Sequence, residues 1–280
     1  MQGIADYEFI ESLGQGNHGE FFLARRPERL PVDAEYVAVK VVGGTGQDAF
    51  RRATRELQAF AAVRSPYLVT LYDAGQQGGV FYYSMEYLPA GSLAVPATPL
   101  ERREVYRALA HAARATQALH DANIMHRDIK PGNVLLTRTA APVPEGTDSD
   151  IGRREIGGKL SDLGLSQVLT PGATVTGMGG LTSVEFTDSG LLRGEAPSPA
   201  GDVWSLGASL HWSVTGLGLY GGLPTHDPLL TLRKVLTTAP ELAPGLPDEV
   251  ADLVRACIGD VVKRPSPVDL AISLESLADA

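Results

Sequence analysis

His126-Arg127-Asp128-Ile129-Lys130-Pro131-Gly132-Asn133 sets a carboxylate, a cation two residues on and an amide five residues on within one short run. Three such groups can accept a hydroxyl proton, neutralise a transferring phosphoryl group and ligate a metal ion. A polar turn without chemistry is the plain alternative. The segments on either side decide between the two.

Upstream, Gly14-Gln15-Gly16-Asn17-His18-Gly19 lies between two strand-like runs, residues 7–10 and 20–24. Glycines at this spacing let backbone N–H groups approach a polyphosphate with no Cβ in the way. Taken alone, the run is equally a flexible hairpin. A dinucleotide-binding loop is excluded, because that loop opens a helix and here a strand follows. Val37-Ala38-Val39-Lys40 then closes a third strand-like run over 36–42. Alternation puts Ala38 and Lys40 on one face, a small side chain that admits a flat ring beside a cation that binds phosphate oxygens. By itself Lys40 also reads as an exposed structural lysine. Glu56 sits at the edge of the apolar face (Phe50, Ala53, Leu57, Phe60) of a helix expected over 48–63, placed to pair with such a lysine. Its alternative is a surface pair with Arg52, worth about 0.3–0.5 kcal/mol.

Downstream, Lys159-Leu160-Ser161-Asp162-Leu163-Gly164 puts a carboxylate on a glycine-containing turn. That suits Mg²⁺, which keeps several waters and takes one or two protein oxygens plus phosphate oxygens. Further strands are expected over 68–72 and 80–85. A long amphipathic helix over 101–120 carries Val105, Leu109, Ala112, Thr116 and Leu119 on one face. Residues 138–158, rich in Pro, Gly, Asp and Thr, read as an exposed loop insertion. Composition shifts near residue 88 from a β-rich part, 1–87, to a helix-rich part, 88–280.

The 280 residues, 44% apolar and 20% charged, suffice for a sizeable core. A formal charge of −9 argues against a nucleic-acid footprint, which needs clustered basic surface. The single cysteine, Cys257, forms no disulfide within the chain, so a reducing compartment is the simpler reading. The start shows no secretory signal, and the most apolar stretch, 203–223, reads as a buried helix plus loop rather than a membrane span. Lysine is scarce: only Lys40, Lys130, Lys159, Lys234 and Lys263, with arginine elsewhere.

Taken in order, these motifs resemble the protein-kinase family, and Lys130 resembles a feature of its Ser/Thr branch. Lys159–Gly164 is similar to the family's metal-binding segment, with Leu163 for Phe. Asp202-Val203-Trp204-Ser205-Leu206-Gly207 is similar to the helix that anchors its catalytic loop, and Arg264-Pro265-Ser266 to its final helical segment. The resemblance implies an α+β, two-lobed kinase fold, with a small antiparallel β-rich N-lobe bearing one main helix and a larger, mostly helical C-lobe. It implies an ATP-dependent, non-specific serine/threonine protein kinase using Mg²⁺, with Mn²⁺ as a substitute. Gly14, Gly16 and Gly19 would cover the ATP phosphates, Lys40 would hold them, and Glu56 would hold Lys40. Asp128 would accept the hydroxyl proton, Lys130 would steady the γ-phosphate, and Asn133 and Asp162 would hold the metal. The adenine would lie among Leu13, Phe21, Ala38 and Leu135, with Glu86 to Leu88 as hinge and Met85 behind. Phe60, Leu71, His126 and Leu163 would form an apolar spine.

Thr174 and Thr176 are the implied autophosphorylation sites, facing Arg127, through a transient homodimer; Ser183 is the implied substrate-facing hydroxyl. Partners implied are ATP and proteins bearing Ser or Thr, with no nucleic acid and no membrane contact. The setting implied is cytoplasmic, including the intracellular domain of a longer protein. Two departures stand out. Phe21 occupies a place where valine is common, and Ser189-Gly190 replaces the usual Pro-Glu, leaving Arg264 to find another acid, with Glu185 and Glu195 as candidates. A pseudokinase scaffold and a small-molecule phosphotransferase are the alternatives.

Overall fold

The computed structural model describes residues 3–16, 19–42, 47–140, 154–162 and 184–280; at 47–53, 56, 139, 140, 154 and 155 it describes the backbone only. These fall into two compact units, one of residues 3–64 and 69–87, the other of 65–68, 88–162 and 184–280. The fold is α+β.

The first unit is a five-stranded antiparallel sheet of order β1-β2-β3-β5-β4, formed by β1 (Glu8–Gly16), β2 (Gly19–Arg25), β3 (Tyr36–Val42), β4 (Leu71–Gln77) and β5 (Val80–Glu86), with helix α1 (Gln47–Ala62). Val37 and Val39 on one face of β3 pack with Ala24, Tyr7, Leu30 and Tyr82 into a buried cluster. Residues of even number on β3, Ala38 and Lys40, therefore point to the other face. The strand expected over 68–72 needs correction: β4 begins at Leu71 and runs to Gln77. Leu68 instead bridges to Leu160 in the second unit. What fixes β4 is its turn, Gly78-Gly79 at φ +58° and +80°, the left-handed conformation that a two-residue hairpin demands.

The second unit is built on α2 (Arg102–Asp121), whose first turn is closed by Glu104 accepting from the Glu101 backbone N–H at 2.8 Å. All five residues of its expected apolar face are buried. A hairpin of β6 (Val134–Ala140) and β7 (Arg154–Leu160) presses onto α2. Gly158 permits this, because a Cβ there would lie 2.7 Å from the Ala108 carbonyl oxygen. The hairpin corrects the loop expected over 138–158: the ladder runs outward to the pair Ala140 with Arg154, entering that segment from both ends. On β6, Val134 and Leu136 are buried while Leu135 and Thr137 are half-buried, the alternation of a strand, outweighed in the sequence by the Pro and Gly that follow.

Among the described residues, one short and four longer α-helices follow: α3 (Ser189–Leu192), α4 (Pro199–Thr215), α5 (Pro228–Thr237), α6 (Asp248–Ile258) and α7 (Pro267–Asp279). Helix α4 opens on the Ser198 cap with Pro199 behind it and stops at Gly216, φ +70°. It accounts for most of the apolar stretch over 203–223. Among the described residues no helix is long and apolar enough to cross a membrane. Cys257 is buried against Gly207, and burial pushes its thiol up to about 12.

Two histidines tie these elements together. His111 Nδ1 accepts from the Gly158 N–H at 3.2 Å, and His211 Nε2 from the Ala243 N–H at 2.8 Å. Each acts as an acceptor only while neutral. Burial holds both below the ordinary imidazole value of 6.5. Below that pH the unfolded chain takes up protons that the folded one refuses, so this contribution to stability is complete above 6.5 and drains as the pH falls. We expect the melting temperature to drop between pH 7.5 and 5.5, with a shallower slope in His111→Gln. A slope unaltered by that change would contradict the assignment.

Candidate active site

The segment from His126 to Asn133 lies between α2 and β6, and a buried carboxylate pins its start. Asp202, 3% exposed on the first turn of α4, accepts the backbone N–H of His126 at 2.9 Å through Oδ2 and that of Arg127 at 2.8 Å through Oδ1. His120 Nε2, at the end of α2, donates to the same Oδ2 at 2.8 Å. Arg127 sits at φ +68°, a left-handed conformation costly for a residue with a Cβ and kept only where the surroundings over-determine it. His126 is fully buried. Its Nε2 donates to the Ser161 carbonyl at 3.0 Å and its Nδ1 accepts from the Asp128 N–H at 3.3 Å.

Beyond this anchor, Asp128, Lys130 and Asn133 converge. Lys130 Nζ donates to Asp128 Oδ2 at 2.8 Å, and Asn133 Nδ2 donates to the same oxygen at 3.0 Å and to the Asp128 carbonyl at 2.7 Å. Lys130 and Asp128 keep 13% and 17% of their side-chain surface exposed, so a compact cation and a carboxylate meet in a largely buried setting. The Asn133 amide also carries an acceptor, Oδ1. Ser161 ties the next strand end to this residue, donating to the Asn133 carbonyl from N at 2.9 Å and from Oγ at 3.1 Å. Asp162 follows directly at φ +60°, a second left-handed non-glycine. An amide oxygen and a carboxylate make a hard, oxygen-only donor pair, which fits Mg²⁺ better than a soft metal. Leu135, next to the Ser92 bridge on β6, and Leu88 belong to the same unit.

The other half of the expected site lies in the first unit. The pairs Phe21 with Lys40 and Lys40 with Tyr83 make one row across β2, β3 and β5; Leu23, Ala38 and Met85 make the next. Ala38, Lys40 and Met85 are buried. Glu86 closes β5, accepting the Thr70 N–H at 2.7 Å. Gly16 and Gly19 pair at the tip of the β1–β2 hairpin, Gly14 stands at φ +123°, and Leu13 is exposed. Gly19 has a reason beyond phosphate access: a Cβ there would come within 2.2 Å of the Val41 carbonyl oxygen. Phe60 and Leu71 are in this unit and His126 in the other. The Glu56 side chain, Leu163, Thr174, Thr176 and Ser183 lie outside the described residues.

Arg264 does find another acid, and it is neither Glu185 nor Glu195. Its Nη1 donates to Asp188 Oδ2 at 2.5 Å and to the Ala200 carbonyl at 2.8 Å, and its side chain is 5% exposed. Asp188 does two jobs, since its Oδ1 also caps α3 by accepting from Gly190 N at 3.0 Å.

A sheet bearing a strand lysine, followed by a helical unit whose first long helix leads into an Asp-Lys-Asn loop pinned by a buried aspartate, has the order of parts of a protein kinase. Residues 7–272 match the family described as protein kinase domain, and the chain belongs to it. Serine/threonine-protein kinase AfsK of Streptomyces coelicolor is 30% identical over 97% of this chain and 32% of its own length. Serine/threonine-protein kinase PknK of Mycobacterium tuberculosis is 30% identical over 94% of this chain and 22% of its own. For serine/threonine-protein kinase PrkC of Bacillus subtilis the figures are 25%, 98% and 41%. The chain thus spans well under half the length of these relatives.

Proposed function

We propose that this domain transfers the γ-phosphate of ATP to serine and threonine hydroxyls of proteins. The observation that carries the reading is the contact of Lys130 and Asn133 with one oxygen of Asp128. Asp128 takes the proton of the attacking hydroxyl as its oxygen bonds to the γ-phosphorus and the bond to the β-phosphate oxygen breaks. Lys130 offsets charge on the phosphoryl group through the transfer. Asn133 and Asp162 hold Mg²⁺ (Mn²⁺ serves in its place), which when bound neutralises phosphate charge. Lys40, braced by Glu56, holds the α- and β-phosphates beneath Gly14, Gly16 and Gly19. Leu13, Ala38, Met85, Glu86, Leu88 and Leu135 serve the adenine, and Phe21 lies beside Lys40 on the phosphate side.

The reading extends to autophosphorylation of Thr174 or Thr176 within a transient homodimer, with Ser183 facing the substrate, in a cytoplasmic setting. A kinase-like chain with no acid for Arg264 would favour the scaffold reading, and Asp188 supplies that acid. Labelled ATP with Mg²⁺ and a generic protein substrate tests the proposal, with peptide mapping of the chain afterwards. Labelled substrate and a phosphate on Thr174 or Thr176 are expected. Tight nucleotide binding without any transfer would overturn the kinase reading in favour of the scaffold.

A further inference from the structure

Two aromatic rings flank the Lys40 ammonium. It lies 4.9 Å from the centroid of the Phe21 ring and 5.9 Å from that of Tyr83, the lysine's cross-strand neighbours on either side. Both distances are within the reach at which a cation is drawn to an aromatic face. The lysine is 5% exposed and Tyr83 2%, so the attraction operates where water screens it little. Phe21 also pairs through its backbone with Gly14 on β1, so one residue stands between the glycine hairpin and the lysine's strand. A valine, the commoner residue at this position by the resemblance, has no π face to offer.

We infer that Phe21 and Tyr83 are positioning residues that clamp the Lys40 ammonium between two rings, ready for the phosphates of a nucleotide. The inference rests on the proposed function for what Lys40 binds, but not for the clamp itself. The clamp limits the rotamers of a long, flexible side chain before any ligand arrives, and so lessens the ordering that binding would otherwise require. Phe21 then acts through Lys40 on phosphate rather than directly on the purine. That separates it from the adenine-contacting role given to its neighbours.

The scarcity of lysine makes the test direct. With lysine labelled by ¹³C at Cε, the ligand-free protein shows five side-chain signals, and Lys40→Arg identifies one of them. Ring currents place the Lys40 signal upfield of the other four. In Phe21→Leu it moves back toward them, whereas Phe21→Tyr, which keeps the π face, holds it in place. Phe21 is only partly buried, so these changes spare the sheet. For the buried Tyr83, Tyr83→Phe keeps the signal where it is. ATP affinity falls roughly 2- to 30-fold in Phe21→Leu, while adenosine, which has no phosphate, binds as before. A Lys40 signal that is unshifted, or indifferent to Phe21→Leu, overturns the clamp, as does an equal loss of ATP and adenosine affinity. A shifted signal that ATP fails to perturb in the unaltered protein leaves the clamp standing and sinks the kinase reading instead.

Discussion

Asp128→Asn should lower the rate of phosphoryl transfer about 10²- to 10⁴-fold, the usual worth of a positioned general base, with ATP affinity nearly unchanged. The geometry makes this substitution clean. An asparagine can keep its carbonyl oxygen where Oδ2 stands, still accepting from Lys130 and Asn133, now at 2.8 and 3.0 Å. The Asp128 backbone carbonyl continues to accept from Asn133. What disappears is the lone negative charge that can receive a proton. The hydrogen bond from Lys130 changes from one between ions to one with a neutral acceptor, at a cost of about 1 kcal/mol. Rates at saturating ATP and substrate, set beside calorimetric ATP affinity and a thermal melt, separate these effects. Transfer within threefold of the parent would remove Asp128 as the base.

The parts that sequence alone made legible were those with local causes. Period-two runs gave β1 to β3, the 3.6-residue period gave α1 and α2, and the octapeptide at His126 named its own chemistry. The register between β3 and β5 was not legible, because α1 and β4 intervene and no tight turn ties the two strands. Tyr83 could therefore not be recognised as the neighbour of Lys40. The Gly78-Gly79 turn did carry a local signal for β4 and β5, and weighing it above the apolar run at Leu68 would have placed β4 correctly. For Arg264 the sequence offers Glu185 and Glu195. The answer was an aspartate whose Asp-Ser-Gly context marks a helix cap, and only the folded chain brings its second oxygen to a guanidinium 76 residues away. His120 was missed for a similar reason: nothing near it signals an aspartate 82 residues on.

Asp202→Ala should be the most damaging single change to the fold of the second unit, and it should reach the catalytic loop without touching a catalytic residue. The carboxylate is 3% exposed and accepts two backbone N–H groups and a histidine nitrogen. Alanine leaves the His126 and Arg127 N–H groups without these acceptors, in a place that water reaches poorly. Each costs about 1–3 kcal/mol, so the loss is about 2–6 kcal/mol. There is a further consequence for geometry. Arg127 is at φ +68°, and the bond from its N–H to Asp202 is one of the contacts that keep it there. Released, the residue relaxes toward ordinary φ values and carries Asp128 with it, away from Lys130. Transfer should therefore fall at least as far as in Asp128→Asn even at temperatures where the protein stays folded. Asp202→Asn should be intermediate, since an amide has one acceptor oxygen for two N–H groups and turns its NH₂ against the second. A melting temperature within about 2 °C of the parent for Asp202→Ala, roughly the effect of 1 kcal/mol or less, would show that the loop is held by something other than this carboxylate.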